Sequence, residues 1–153
     1  MLFAGAIVYF NSNKSMTSKH KNKTIATLLA ATLGSFGAHR FYLYGKRDQF
    51  AWLHFLSLPI SLLLTNLLFH LPLLITMSPW ALSLLIGMFT ALFLGLKSDE
   101  KWDVQFNPDT NKKSESTWPL ALVLVLTMAF GAFALIFVLA RGFALLYTGG
   151  VDG

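Results

Sequence analysis

The chain has 153 residues, 55% of them hydrophobic and only 12% charged, with a mean hydropathy of +0.59. A soluble domain covers itself with about a quarter of its residues charged, so an ordinary soluble fold is excluded; 14 Phe, 4 Trp and 4 Tyr exclude intrinsic disorder. The net charge of +5 comes from 12 basic and 7 acidic residues, and the absence of cysteine excludes a disulfide framework, a thiol nucleophile and Cys-ligated zinc or iron–sulfur sites.

Residues 1–18 read as an N-terminal tail. Residues 1–10 are apolar but too short to cross a bilayer, and they lack the basic n-region and cleavage site of a signal peptide. Met16 offers a more economical start, so residues 1–15 are expected to reflect a mis-assigned start codon. Lys14, Lys19, Lys21 and Lys23 then lead into the first apolar run without an acid among them.

That first run, Thr24–Ala38, has 15 uncharged residues, which cover only about 22 Å as a helix. Extending it to Tyr44 gives a span over 24–44 of about 31 Å, provided that Arg40 snorkels to the interface while Tyr42 and Tyr44 anchor there. A helix ending near Ala38 and followed by a structured interfacial turn is the competing description. The 48 residues 49–96 carry no formal charge, and Pro72 and Pro79 divide them into spans at 50–70 and 79–96. Residues 97–117 mix Lys97, Lys101, Lys112 and Lys113 with Asp99, Glu100, Asp103, Asp109 and Glu115, and read as an exposed, charge-balanced polar loop. Trp118-Pro119 opens a last span at 118–140, Arg141 closes it, and a short tail runs to residue 153. Trp52, Trp80 and Trp118 all stand near the start of a span, where amphipathic rings prefer the headgroup region.

The expected fold class is therefore all-α: a polytopic membrane protein of about four transmembrane helices, with both termini on one side. Sidedness stays open, because that topology places five basic residues (Lys14, Lys19, Lys21, Lys23, Arg141) against seven (Arg40, Lys46, Arg47, Lys97, Lys101, Lys112, Lys113). Juxtamembrane lysines facing anionic headgroups account for the basic clusters, and nucleic acid is not an expected partner.

The densest unusual stretch is Gly34-Ser-Phe-Gly37-Ala38-His39-Arg40-Phe41-Tyr42-Leu43. Gly34 and Ala38 have the small-xxx-small spacing that lets membrane helices approach closely, and they are the expected helix-packing pair. His39 and Arg40 place a titratable ring and a cation where the helix should leave the lipid, with Phe41 and Tyr42 beside them. Lys21-Asn22-Lys23, Leu28-Leu29-Ala30, Leu33-Gly34 and the string Gly37-Ala38-His39-Arg40-Phe41-Tyr42-Leu43 resemble the TM2 domain, a family named for its two transmembrane helices. The resemblance covers residues 19–70, followed by residues 71–96 as a third span with its preceding loop. His39 stands where the animal members carry an Asp, and Tyr44 intervenes before Gly45. The segment Asp99-Glu-Lys-Trp-Asp103 to Asn107, with a closing hydrophobic helix, is similar to bacterial proteins that add two further spans, which implies a bacterial cytoplasmic membrane. The resemblance implies no particular activity.

The remaining chemistry is sparse. His39, His54 and His70 are separated by 15 and 16 residues, which is no compact metal-ligand spacing. The acids of 97–117 lack the pattern of an EF-hand, and no phosphate-binding glycine motif or nucleophile–base pair is legible. No metal, cofactor or catalytic residue is expected. Within the spans beyond residue 49 the polar residues besides His54 and His70 are Ser57, Ser61, Thr65, Asn66, Ser83, Thr90 and Thr127, none charged, which argues against proton-coupled transport. The sequence points to a non-enzymatic multi-pass membrane protein acting through helix association with itself, lipid or another membrane protein. The competing readings are a subunit of an oligomeric channel or transporter and, third, a membrane enzyme.

Overall fold

A computed structural model describes residues 19–149; the mis-assigned start expected over residues 1–15 lies outside them. The Asn22 side chain accepts from Ile25 N and opens α1 (Lys23–Leu33), which passes into a 3₁₀ turn (Gly34–Phe36) and then α2 (Ala38–Tyr44). Asp48 accepts from Phe50 N at the start of α3 (Gln49–Leu67). A short α4 (Leu73–Thr76) precedes α5 (Ser78–Leu96), and α6 (Asp99–Phe106) precedes α7 (Trp118–Thr148). Pro79 and Pro119 sit in the first turns of α5 and α7, where the missing N–H has no intrahelical acceptor to lose. Pro59 lies inside α3. The described residues contain no strand.

Three helices are long and apolar enough to cross a membrane: α3 and α5 with 19 residues each and α7 with 31. At about 1.5 Å per residue, the 19-residue helices match a hydrocarbon core of about 30 Å. The fourth apolar helix, Lys23–Phe36, is shorter. The continuous helix expected over 24–44 does not form. Gly37 adopts φ 71°, a left-handed geometry that glycine reaches without steric cost, and the chain doubles back. Tyr42 Oη accepts from Asn22 N at 2.8 Å and Leu43 O from Lys21 Nζ at 2.5 Å, so the end of α2 lies beside the start of α1. Turning back also returns Arg40, Tyr42 and Tyr44 to the end from which α1 set out, instead of carrying a cation across the lipid.

The directions of the other helices follow from their contacts. Lys23 meets Asp99 and Lys97 O while Gly34 meets Gly87, so α5 runs antiparallel to α1. His54 pairs with Ser83, and Ser61 Oγ accepts from Trp80 N, so α3 runs antiparallel to α5. Gly95 faces Leu124 and Gly131 faces Met88, so α7 is again antiparallel to α5. The result is a helical hairpin that enters and leaves at one end of the bundle, followed by the three helices long and apolar enough to cross. Residues 19 and 149 therefore lie at opposite ends, where the sequence reading placed the termini together.

The seam between α1 and α5 is built from small residues. Ser83, Gly87, Ala91 and Gly95 are buried on α5, each four residues from the next; Gly87 meets Ala30 and Gly34, and Gly95 meets Thr27. Close packing of this kind holds membrane helices together where no hydrophobic drive separates them from lipid.

The polar loop expected over 97–117 folds into a cap. Trp102, fully buried, packs with Ala26, Leu43 and Phe106, and its indole donates to Lys21 O at 3.0 Å. Asp99 accepts from Lys23 Nζ at 2.8 Å and from Ser116 N at 2.7 Å, and Asp103 accepts from Ser114 N at 2.7 Å. Part of the charge alternation that suggested a solvated connector serves internal pairing instead, because Asp99 and Asp103 point back onto the chain, while Glu100, Asp109 and Glu115 are exposed.

Candidate functional site at the hairpin tip

The hairpin brings the expected motif residues to one place, in two environments. Gly34 is buried at the tip, where a Cβ would stand 2.7 Å from Gly87 Cα, so the two backbones are in direct contact. Ala38, its expected packing partner, is half-buried and belongs to α2. The four-residue spacing from Gly34 puts no shared face there, because Gly37 ends the helix between them. A Cβ at Gly37 would meet Ala51 O at 2.6 Å, which fixes how closely the tip approaches α3.

The inner environment is polar. His39 is 1% exposed, and among the described residues neither of its ring nitrogens has a hydrogen-bond partner. Its ring meets His54 edge-on at 5.9 Å between centroids. His54 Nδ1 lies 2.5 Å from Ser83 Oγ, and Ser83 donates its hydroxyl proton to Ser35 O at 3.0 Å. A hydroxyl has one proton to give, so His54 Nδ1 is the donor to Ser83. A nucleophilic serine needs the reverse arrangement, with the imidazole accepting. Ser57, buried beside this group, donates to His54 O at 2.6 Å.

The outer environment holds the charge. The Arg40 guanidinium grips Asp48 through two nitrogens, at 2.7 and 3.2 Å. That side-chain hydrogen bond holds the Asp48 carboxyl below its ordinary value against the opposing effect of burial, and Phe50 N assists. Arg40 also lies 5.0 Å from the ring centroids of both Tyr44 and Phe50. Phe41 stands edge-on to Trp52 at 5.4 Å, Tyr42 receives Asn22 N, and Leu43 is 2% exposed against Trp102.

Of the histidines read from the sequence, His39 and His54 come together, while His70 lies at the far end of α3 beside Phe69. Among the described residues no group of three or more His, Cys, Asp or Glu is placed to hold a metal. Sequence reasoning passed over Ser35, His54 and Gly87 as site residues. The four-residue repeat Ser83-Gly87-Ala91-Gly95 is the signal that could have found Gly87, whereas Ser35 and His54 join the tip only through the reversal at Gly37.

An apolar bundle with its charge gathered at one end and a reversed helical hairpin inside it defines an all-α polytopic membrane protein. The family model for the TM2 domain matches residues 19–71, which hold α1, α2 and α3. No curated protein and no solved structure matches the chain.

Proposed function

We propose that this chain is a non-catalytic membrane protein that acts through lateral helix association, with α7 meeting a second copy of the chain. The observation that carries the reading is the exposure of α7: of its 31 residues only Leu120 and Thr127 are buried. Lipid and a different membrane protein are the other occupants to be separated from self-association. The non-catalytic reading is supported by the proton directions at Ser83, whose hydroxyl donates to Ser35 O rather than to an imidazole. Resemblance of the segment 99–107 and the closing helix to bacterial proteins supports a bacterial cytoplasmic membrane.

The absence of native cysteine makes the test direct. Single cysteines at Val125 and Phe133, both exposed on α7, should form disulfide-linked dimers on oxidation in native membranes. Monomer at both positions, with a partner of different mass crosslinked instead, would replace self-association by a heterologous partner. The second reading is a subunit of an oligomeric channel or transporter, favoured by the polar group Ser35, His39, His54, Ser57 and Ser83 inside an apolar bundle. Solute or ion flux into liposomes that is lost on His39→Ala would establish it over the first.

A further inference from the structure

The turn from α2 to α3 carries two cations that its own acid cannot neutralise. Asp48 is committed to Arg40 through two hydrogen bonds. Lys46 and Arg47 are exposed, and among the described residues neither forms an ion pair. The turn is fixed in shape: the Trp52 indole donates to Lys46 O at 2.9 Å, Asp48 N donates to Gly45 O at 3.4 Å, and Phe41 packs edge-on against Trp52. Directly beyond it α3 begins its crossing with Phe50, Trp52 and Leu53 at 62%, 47% and 64% exposure, and Tyr44 is exposed on the α2 side. In a membrane-spanning helix such residues face lipid, with the aromatic rings at the level of the headgroups. Lys46 and Arg47 thus stand about one helical turn above a lipid-facing apolar surface, which is the depth of lipid phosphate.

We infer that the Gly45–Asp48 turn binds the headgroup phosphate of an anionic phospholipid, with Lys46 and Arg47 as its ligands. The guanidinium of Arg47 offers the planar fork that takes phosphate oxygens in pairs, and the Lys46 ammonium adds a point charge beside it. An anionic lipid satisfies both cations, whereas a zwitterionic lipid brings its own ammonium to compete for the same phosphate. The apolar residues beneath the turn supply the surface for the acyl chains, which a free phosphate cannot use.

The experiment takes the full chain in detergent micelles and reads thermal unfolding together with lipid adducts by native mass spectrometry. Phosphatidylglycerol, phosphatidylcholine with the same acyl chains, and inorganic phosphate are added separately. Phosphatidylglycerol should raise the melting temperature more than phosphatidylcholine, and inorganic phosphate should not. Lys46→Gln/Arg47→Gln should retain fewer than half of the phosphatidylglycerol adducts, whereas Lys112→Gln/Lys113→Gln, an equal loss of charge in the cap, should retain most of them. If the first double variant is recovered unfolded, the single Arg47→Gln variant is compared by adduct retention in the same way. Equal stabilisation by the two lipids, an equal effect of inorganic phosphate, or equal losses in the two double variants would each overturn the site.

Discussion

At the scale of single residues, Arg40 decides how the motif is held. Asp48 is the nearest acid to Arg40 in the sequence, and the structure closes that pair with both guanidinium bonds while stacking Arg40 on Tyr44 and Phe50. The Asp48 side chain is 8% exposed and that of Arg40 28%, so removing the cation leaves a nearly buried carboxylate without its main partner. The loss should be about 2–3 kcal/mol, below the range for a fully buried pair because Arg40 retains contact with solvent. Arg40→Lys keeps charge but not the fork. It should therefore melt between wild type and Arg40→Ala in detergent, and Phe41→Ala should fall below wild type by losing the edge contact with Trp52. Identical melting of all three variants with the parent, alongside a lost cellular phenotype, would make the turn a functional surface rather than a structural one. What the sequence did not reveal at this scale is the burial of His39: the ring was expected at the interface, and the reversal at Gly37 places it against His54 instead.

At the scale of elements, the hairpin separates two small residues that the sequence paired. Spacing alone puts Gly34 and Ala38 on one helix face, which holds only while the helix continues. The real seam uses residues upstream of the break, with Gly34 and Ala30 against Gly87 and Thr27 against Gly95. Gly34→Leu and Gly87→Leu should each force the two backbones apart and sharply lower the yield of folded protein in detergent extracts, because the obstructing atoms are backbone. Ala38→Leu, at a half-buried position off the seam, should be recovered near the parental level. Equal recovery of all three would mean that the seam does not hold α1 in place. The long apolar runs were legible from charge-free length, but the cap over 97–117 was not, since its polar pattern is the same whether the acids face water or their own chain. Its pH response follows from that inward pairing. Burial pushes Asp99 up, but hydrogen bonds from Lys23 and Ser116 outweigh it and hold the carboxyl below its ordinary value; Asp103 is lowered in the same way by Ser114 and Asn107. A carboxylate lowered in the folded state contributes stability in full above its unfolded pKa of about 3.9, and that contribution disappears as the pH falls through the lowered folded value. Protection of the amides over 97–117, taken relative to their intrinsic exchange rate, should therefore fall on acidification from about pH 5 to below 3.9, while protection in the middle of α5 is kept. A uniform loss in both segments would show that the cap has no separate transition.

At the scale of the whole molecule, reversal of the first helix leaves three helices long and apolar enough to cross, and their directions redistribute a charge that four crossings left balanced. Lys19, Lys21 and Lys23 precede α1. Arg40, Lys46 and Arg47 lie where α2 returns and α3 begins, and Lys97, Lys101, Lys112 and Lys113 belong to the cap between α5 and α7. The helix directions put all ten at the same end of the bundle, and among the described residues Arg141, near the far end of α7, is the one basic residue at the other. Short loops rich in Lys and Arg stay in the cytoplasm, and ten against one is decisive where five against seven was not. The hairpin and cap should therefore face the cytoplasm, with residue 149 across the membrane. Because the chain has no cysteine, single cysteines report this without a background. Lys19→Cys, Lys46→Cys and Lys113→Cys should resist an impermeant thiol reagent applied outside intact cells and react after the membrane is opened. Gly149→Cys should react from outside in intact cells. Reaction of Lys19→Cys and Gly149→Cys from the same side would restore an even number of crossings, and the hairpin would have to be a full span after all.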